Sequence, residues 1–337
     1  MTDTFSIDNL SCLMDLHIHL DGAVSMASAK DLAALQNISI PGSDEELKKL
    51  MMVEPDCKDL NQFLEKFAFP CSLIQTKEGM KRCVENLLTE LKAGGVMYTE
   101  IRFAPQLSTD KGLTQDEVVA AAIEGAKSVD GIISQFILCC MRGNGNHSAN
   151  IETIDVAAKY LGKGVCAVDL AGAEAIFPNA DYEDLFVYAR EKNIPYTIHA
   201  GEADGPKSVE KALEFGTKRV GHGVRAIEDE KLAKRIADEK ITLELCPTSN
   251  IQTVIYKDIS EYPIRKWMQL GALVTINTDD PAIEGTNIKN EYKILQKQFD
   301  LSMDEIRQFL ENSVNAAFAD DKTKENLRHQ ISKEFDA

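Results

Sequence analysis

The chain has 337 residues, with 37 Lys and Arg against 54 Asp and Glu, for a formal net charge of −17. That acidic excess argues against a nucleic-acid binder, which needs a basic face to neutralise phosphates and release counterions. With 44% hydrophobic and 27% charged residues the chain can build a large core, so disordered and fibrous classes are excluded.

At about 150 residues per domain the length suggests two domains, but α/β barrels routinely exceed that figure as one. The opening MTDTFSIDNL has no basic segment followed by an apolar run, so no secretory leader is expected. No stretch reaches the roughly 20 apolar residues of a membrane-spanning helix. The eight cysteines form no C-x-x-C pair and read as reduced thiols of a cytoplasmic protein. Cys139 and Cys140, adjacent on one strand, must face opposite sides.

Short apolar, β-branched runs alternate with helical patterns along the whole chain. The first run, Leu13–His19, precedes a connection over 23–94 that is too long for one helix and contains FLEKFAFPCSLIQT. Extra helices there are expected to cover the mouth of the fold. Met80, Cys83, Val84, Leu87, Leu88 and Leu91 recur at helical spacing, Gly94-Gly95 stop that helix, and the strand Val96–Phe103 follows. Thr114 with Glu117 forms a capping box before the strand Ile132–Cys140, and Ser302 with Glu305 forms another near the C-terminus. Between them lie strands Gly164–Leu170, Ile194–His199, Lys218–His222, Ile241–Cys246 and Ala272–Thr278. Eight strands alternating with helices, and no internal repeat or linker, predict one (β/α)8 TIM barrel. It spans residues 1–337 with a core of about 13–320, and its site lies at the C-terminal strand ends. A doubly wound sheet would carry G-x-G-x-x-G after the first strand, and none is present.

Four polar clusters fall at those strand ends. His17-Ile18-His19 puts two imidazoles on one face, near Asp15 and before the turn Asp21-Gly22. His199-Ala-Gly-Glu202 follows IPYTI, Gly221-His222-Gly223 follows KRV, and Asn277-Thr278-Asp279-Asp280-Pro281 closes ALVTI, with Pro281 holding Asp280 extended. Singly, each is more often structural than functional. Four of the six histidines at three strand ends, with two carboxylates at a fourth, are expected to form a site. Three neutral imidazoles and one carboxylate suit Zn2+ and leave a position for water. The fourth strand ends Val168-Asp169-Leu170-Ala171-Gly172, without the lysine whose carbamate would bridge a second metal, so one metal per chain is expected.

MDLHIHLDGA, YTEIRFAP, DLAG, HAGEADGP, GHGV, CPTSN and NTDDP, in this order, closely resemble the adenosine deaminases of the metal-dependent amidohydrolase superfamily. The resemblance implies that His17, His19, His199 and Asp279 bind zinc. It makes Glu202 the proton donor to purine N1 and has His222 orient the attacking water and help take its proton, with Asp279 aiming that water at C6. It also implies that Asp280 bonds purine N7, that the Gly172 N–H reaches N3, and that Asp21 with His19 lies near the ribose 5′-hydroxyl. Burial among carboxylates would give Glu202 the raised pKa that this role needs. Two positions depart from the family pattern: Cys12-Leu13 stands where Pro-Lys is usual, and Ala173-Glu174 where Asp-Glu is usual. The second removes a carboxylate beside the N3 contact and leaves selectivity there open.

The implied activity is hydrolytic deamination of adenosine and 2′-deoxyadenosine to the inosine nucleosides and ammonia, in purine salvage. The partner is a small purine nucleoside, with neither nucleic acid nor membrane. Adenine or N6-modified adenylate deamination would use the same zinc set, and a metal phosphoesterase or a non-catalytic relative belongs to other classes. Elsewhere the plain readings prevail. Glu100 and Arg102 are expected to pair inside the barrel, His147 to be a solvated loop residue, His329 to be on the surface, and Asp229 and Glu230 to charge a helix N-terminus.

Overall fold

The computed structural model describes residues 6–54, 57 and 60–336. Residues 1–5, part of the leader reading, and Ala337, the end of the expected domain, lie outside them. Eight parallel strands alternate with helices: β1 (Leu13–His19), β2 (Val96–Phe103), β3 (Ile133–Met141), β4 (Val165–Ala171), β5 (Ile198–Ala200), β6 (Arg219–His222), β7 (Thr242–Leu245) and β8 (Leu273–Ile276). β1 to β4 pair in order in one sheet and β5 to β8 in another. Single-residue bridges, Val168 with Tyr196 and Ile18 with Asp279, join the sheets at both seams. At the first, Val168 N donates to Pro195 O at 3.0 Å; at the second, Asp279 N donates to His17 O and His19 N to Asp279 O, each at 2.8 Å. The expected (β/α)8 barrel is thereby closed, its strands buried on both faces. One buried apolar cluster runs from Ile7 to Ile331.

β6 and β7 are one and two residues shorter than expected, β5 and β8 three residues shorter. β5 begins at Ile198, not Ile194, because Pro195 has no N–H for a ladder and only Tyr196 meets β4 before it. β8 stops at Ile276; Asn277 N still donates to Leu245 O at 2.9 Å, and on the β1 side its Oδ1 accepts from Leu16 N at 3.0 Å in place of a backbone carbonyl.

The long first connection forms helices Met26–Gln36, Asp44–Met51, Leu60–Leu64, Ala68–Leu73 and Lys77–Ala93. Ser25, Ser43 and Thr76 start three of them by accepting from the N–H groups of Ser28, Glu46 and Gly79. Both expected capping boxes form, and Asp229 accepts from Lys231 N and Leu232 N. Cys139 faces inward with Ala104 and Ala171, whereas Cys140 joins the outer core. No helix among the described residues is long and apolar enough to cross a membrane.

Glu100 and Arg102 are fully buried inside the barrel but do not pair with each other. Glu100 meets Arg219 at 2.6 Å, while Arg102 meets Asp169 at 2.8 Å and Glu244 at 2.7 Å. Neighbours on one strand face stand side by side, and their long arms reach across the barrel to other strands. His147 is exposed but opens the helix His147–Tyr160 instead of lying in a loop, with Nε2 2.6 Å from Asp184 Oδ2. His329 is exposed on the helix Asp321–Phe335.

Candidate active site

At the C-terminal ends of β1, β5 and β8 four donors converge. His17 Nε2 lies 3.1 Å from His199 Nε2, and His19 Nε2 lies 3.3 Å from it. Asp279 Oδ1 is 3.3 Å from the Nε2 of both His17 and His19. Donors bonded at about 2.0–2.1 Å to a tetrahedral ion stand roughly 3.3 Å apart, so the spacing fits one metal.

The far sides of the rings settle which nitrogen faces inward. His17 Nδ1 donates to Glu244 Oε2 at 2.8 Å, and His199 Nδ1 lies 2.8 Å from Asp169 Oδ2. Carboxylates keep the protons on Nδ1, leaving two Nε2 lone pairs facing each other, an arrangement that a cation resolves.

Backbone geometry aims two of the functional side chains. His222 (φ 56°) and Asp279 (φ 68°) are non-glycine residues in the left-handed region, a strain of about 1–3 kcal/mol each that tertiary contacts must offset. His222 Nε2 lies 3.6 Å from Asp279 Oδ2 and 3.7 Å from Glu202 Oε2, and its Nδ1 is 3.1 Å from Asn250 Nδ2. Burial holds His222 well below the usual imidazole range, so the ring is neutral. Burial, then the charges of Asp279 and Glu174, raise Glu202 well above the carboxylate range, which favours its protonated form. Asp280 is raised likewise, by burial and by Asp279, Asp21 and Glu202, and its Oδ1 has no partner.

Asp280 has φ −121° and ψ 64°, outside the helical region as a residue before proline requires but short of full extension. Its N–H donates to Glu284 Oε1 at 3.1 Å. Ser249 Oγ donates to Asp279 Oδ2 at 2.8 Å.

These groups line a cavity of about 340 Å³. His19, Asp21, Gly172, His199, Glu202, His222, Asp279 and Asp280 all reach it, and His17 lies buried beneath. Phe63, Leu64, Phe67 and Cys71 of the first connection wall its mouth, as expected of the extra helices there. Ala173 also lines it, whereas Glu174 turns away into the β5 side.

The residues that the resemblance singled out are therefore brought to one place, whereas Asp15, expected near the same face, lies outside the cavity and accepts from Thr278 Oγ1 at 2.6 Å. Missed were Glu244, Asp169, Asn250, Ser249, Arg142 and Glu174, which hold the others. Of these, CPTSN and DLAG put Ser249, Asn250 and Asp169 in quoted motifs, where a strand-end position was a usable signal.

Fold and donor set together define a parallel β/α barrel with a candidate metal site at its C-terminal rim. A model of the adenosine deaminase family matches residues 12–334, and the chain belongs to that family. It is 43% identical over 331 residues to the adenosine deaminase of Haemophilus ducreyi, covering 96% of each chain. Among solved structures it is similar to the adenine deaminase of Arthrobacter aurescens, with a TM-score of 0.87, 26% identity, and 96% of this chain and 99% of that one covered. The N6-mAMP deaminase of Arabidopsis shares the fold, with a TM-score of 0.85, 22% identity, and 96% and 98% coverage.

Proposed function

We propose that the chain catalyses hydrolytic deamination of adenosine, and of 2′-deoxyadenosine, to the inosine nucleosides and ammonia, as purine salvage requires. The observation that carries this reading is a buried Glu202 facing the same cavity as four converging metal donors. His17, His19, His199 and Asp279 would hold one divalent cation, zinc by their donor types. When bound, such a cation supplies an acidified water at neutral pH.

The chain's own groups do the rest. Glu202 donates its proton to purine N1 as electron density builds there on attack at C6. His222, neutral and set between Glu202 and Asp279, orients the attacking water and, with Asp279 Oδ2, receives its proton. Asp280, unpartnered at Oδ1 and pushed by burial toward its protonated form, donates to N7, and the Gly172 N–H reaches N3. The amino group then takes the proton held by His222 and Asp279 and leaves C6 as ammonia, while the C6 hydroxyl gives its proton back to Glu202 and becomes the carbonyl.

The sugar end separates the nucleoside from the nucleotide. Asp21 lines the cavity and accepts from a 5′-hydroxyl, but it would repel a phosphate. Arg142 is the one cation among the described lining residues, and its guanidinium is engaged by Phe177 O, Asn179 Oδ1 and His199 O. The buried thiols of Cys12, Cys83, Cys139, Cys140, Cys166 and Cys246 support a cytoplasmic location, and the continuous core supports one domain. Glu202→Gln tests the reading: turnover of adenosine should fall by about 1000-fold or more with metal content unchanged, within or beyond the usual range for a general acid. A variant near full activity would overturn it.

A further inference from the structure

Glu174 follows β4, does not line the cavity, and is 1% exposed. Its carboxylate accepts four hydrogen bonds from one stretch of chain. Oε1 takes Gly201 N at 2.7 Å and Ser208 Oγ at 2.5 Å; Oε2 takes Glu202 N at 3.0 Å and Asp204 N at 2.9 Å. A carboxylate offers about four lone-pair positions, so this one is fully engaged.

The location matters because β5 has three residues and meets β4 through a single bridge at Val168 and Tyr196. The barrel wall is thus thinly paired just below the turn that carries Glu202. That turn is also tight: Gly201 has φ 67°, and a Cβ on it would lie 2.4 Å from Val209 Cγ2.

We propose that Glu174 is a positioning residue for the reaction, clamping the Gly201–Asp204 turn across the β4–β5 seam so that the Glu202 carboxyl meets purine N1. This rests on Glu202 being the proton donor. Misplacing a reacting group by about 1 Å costs roughly 100-fold in rate while leaving ground-state contacts in place. The isosteric Glu174→Gln variant turns an NH2 group toward backbone N–H donors, loosening the turn without opening a cavity.

The test compares wild type, Glu174→Gln and Glu202→Gln for kcat, KM for adenosine and bound metal, with amide hydrogen exchange on the first two. Glu174→Gln should keep its metal and a KM within about threefold, lose about 10- to 100-fold in kcat, and exchange faster at Gly201, Glu202 and Asp204 but not in β2. Should that variant fail to fold, Ser208→Ala removes one donor and no charge, and it should lower kcat in the same sense by less. A kcat near wild type, or a loss accounted for by metal or KM, overturns the inference. If Glu202→Gln itself stays active, the proton-donor reading is what fails. If it is inactive while Glu174→Gln has normal kcat, only the clamp fails.

Discussion

A Cβ added to Gly22 would lie 1.7 Å from Asp280 Oδ1, 2.5 Å from its Cγ and 2.8 Å from its Cβ. Rotating the carboxylate away does not suffice, because carbon–carbon contacts settle near 3.5 Å and Asp280 Cβ itself must retreat by ~0.7 Å. Gly22 is absent from the residues with positive φ, so backbone strain contributes nothing to Gly22→Ala. The effect is the displacement of Asp280 by about 1 Å at the N7 contact, worth roughly 100-fold in kcat/KM, or about 2.7 kcal/mol of transition-state binding. Steady-state kinetics on adenosine, with metal content and Tm measured alongside, would read it. Gly42→Ala is the control, since nothing lies within 4 Å of its added Cβ. A Gly22→Ala enzyme within threefold of wild type would refute the steric reasoning and the placing of Asp280 at the purine.

Glu244 accepts from Arg102 Nη2 and Arg219 Nε at 2.7 Å each, from Thr197 Oγ1 at 2.9 Å and from His17 Nδ1 at 2.8 Å. Glu244→Gln leaves buried guanidiniums short of charge, so denaturant unfolding should report a loss of about 3–5 kcal/mol, and chelator competition about 10- to 100-fold weaker metal binding. A stability within 1 kcal/mol of wild type and an unchanged chelator midpoint would contradict this.

Burial raises Glu291 from the ordinary 4.5 to about 7, against hydrogen bonds from Thr248 and Thr286. Below the lower value both states are protonated and no penalty exists. As pH rises through that window the unfolded chain releases its proton first, so the folded state loses relative stability, and the loss is complete above the upper value. Glu291→Gln removes this penalty, so its stability relative to wild type should improve by about 3 kcal/mol between pH 4 and pH 8. Parallel pH–stability curves for the two proteins would refute the assignment.

What could be read from the chain alone follows from locality. Apolar β-branched runs and period-2 histidines are properties of neighbouring residues, so β1 to β4 and the motifs around His17, His199, His222 and Asp279 were legible. The groups that hold them were not, because their partners are distant in sequence: His17 meets Glu244 across 227 positions, and Glu202 N meets Glu174 across 28. Glu100 and Arg102 were misjudged for the same reason, since proximity on one strand says little about which side chains meet across a barrel. The left-handed backbone at His222 and Asp279 had no glycine to mark it. Ala173, read as the loss of a carboxylate, does line the cavity, and the structure places the neighbouring Glu174 behind the turn that bears Glu202.

The most direct test of the central claim follows the loss of purine ultraviolet absorbance with adenosine, adenine and adenylate, side by side at equal concentration, on metal-loaded protein. Adenosine should be deaminated fastest, because Asp21 can accept from its 5′-hydroxyl and Arg142, the one cation among the described lining residues, is already engaged. Adenylate or adenine turning over faster than adenosine would contradict the account.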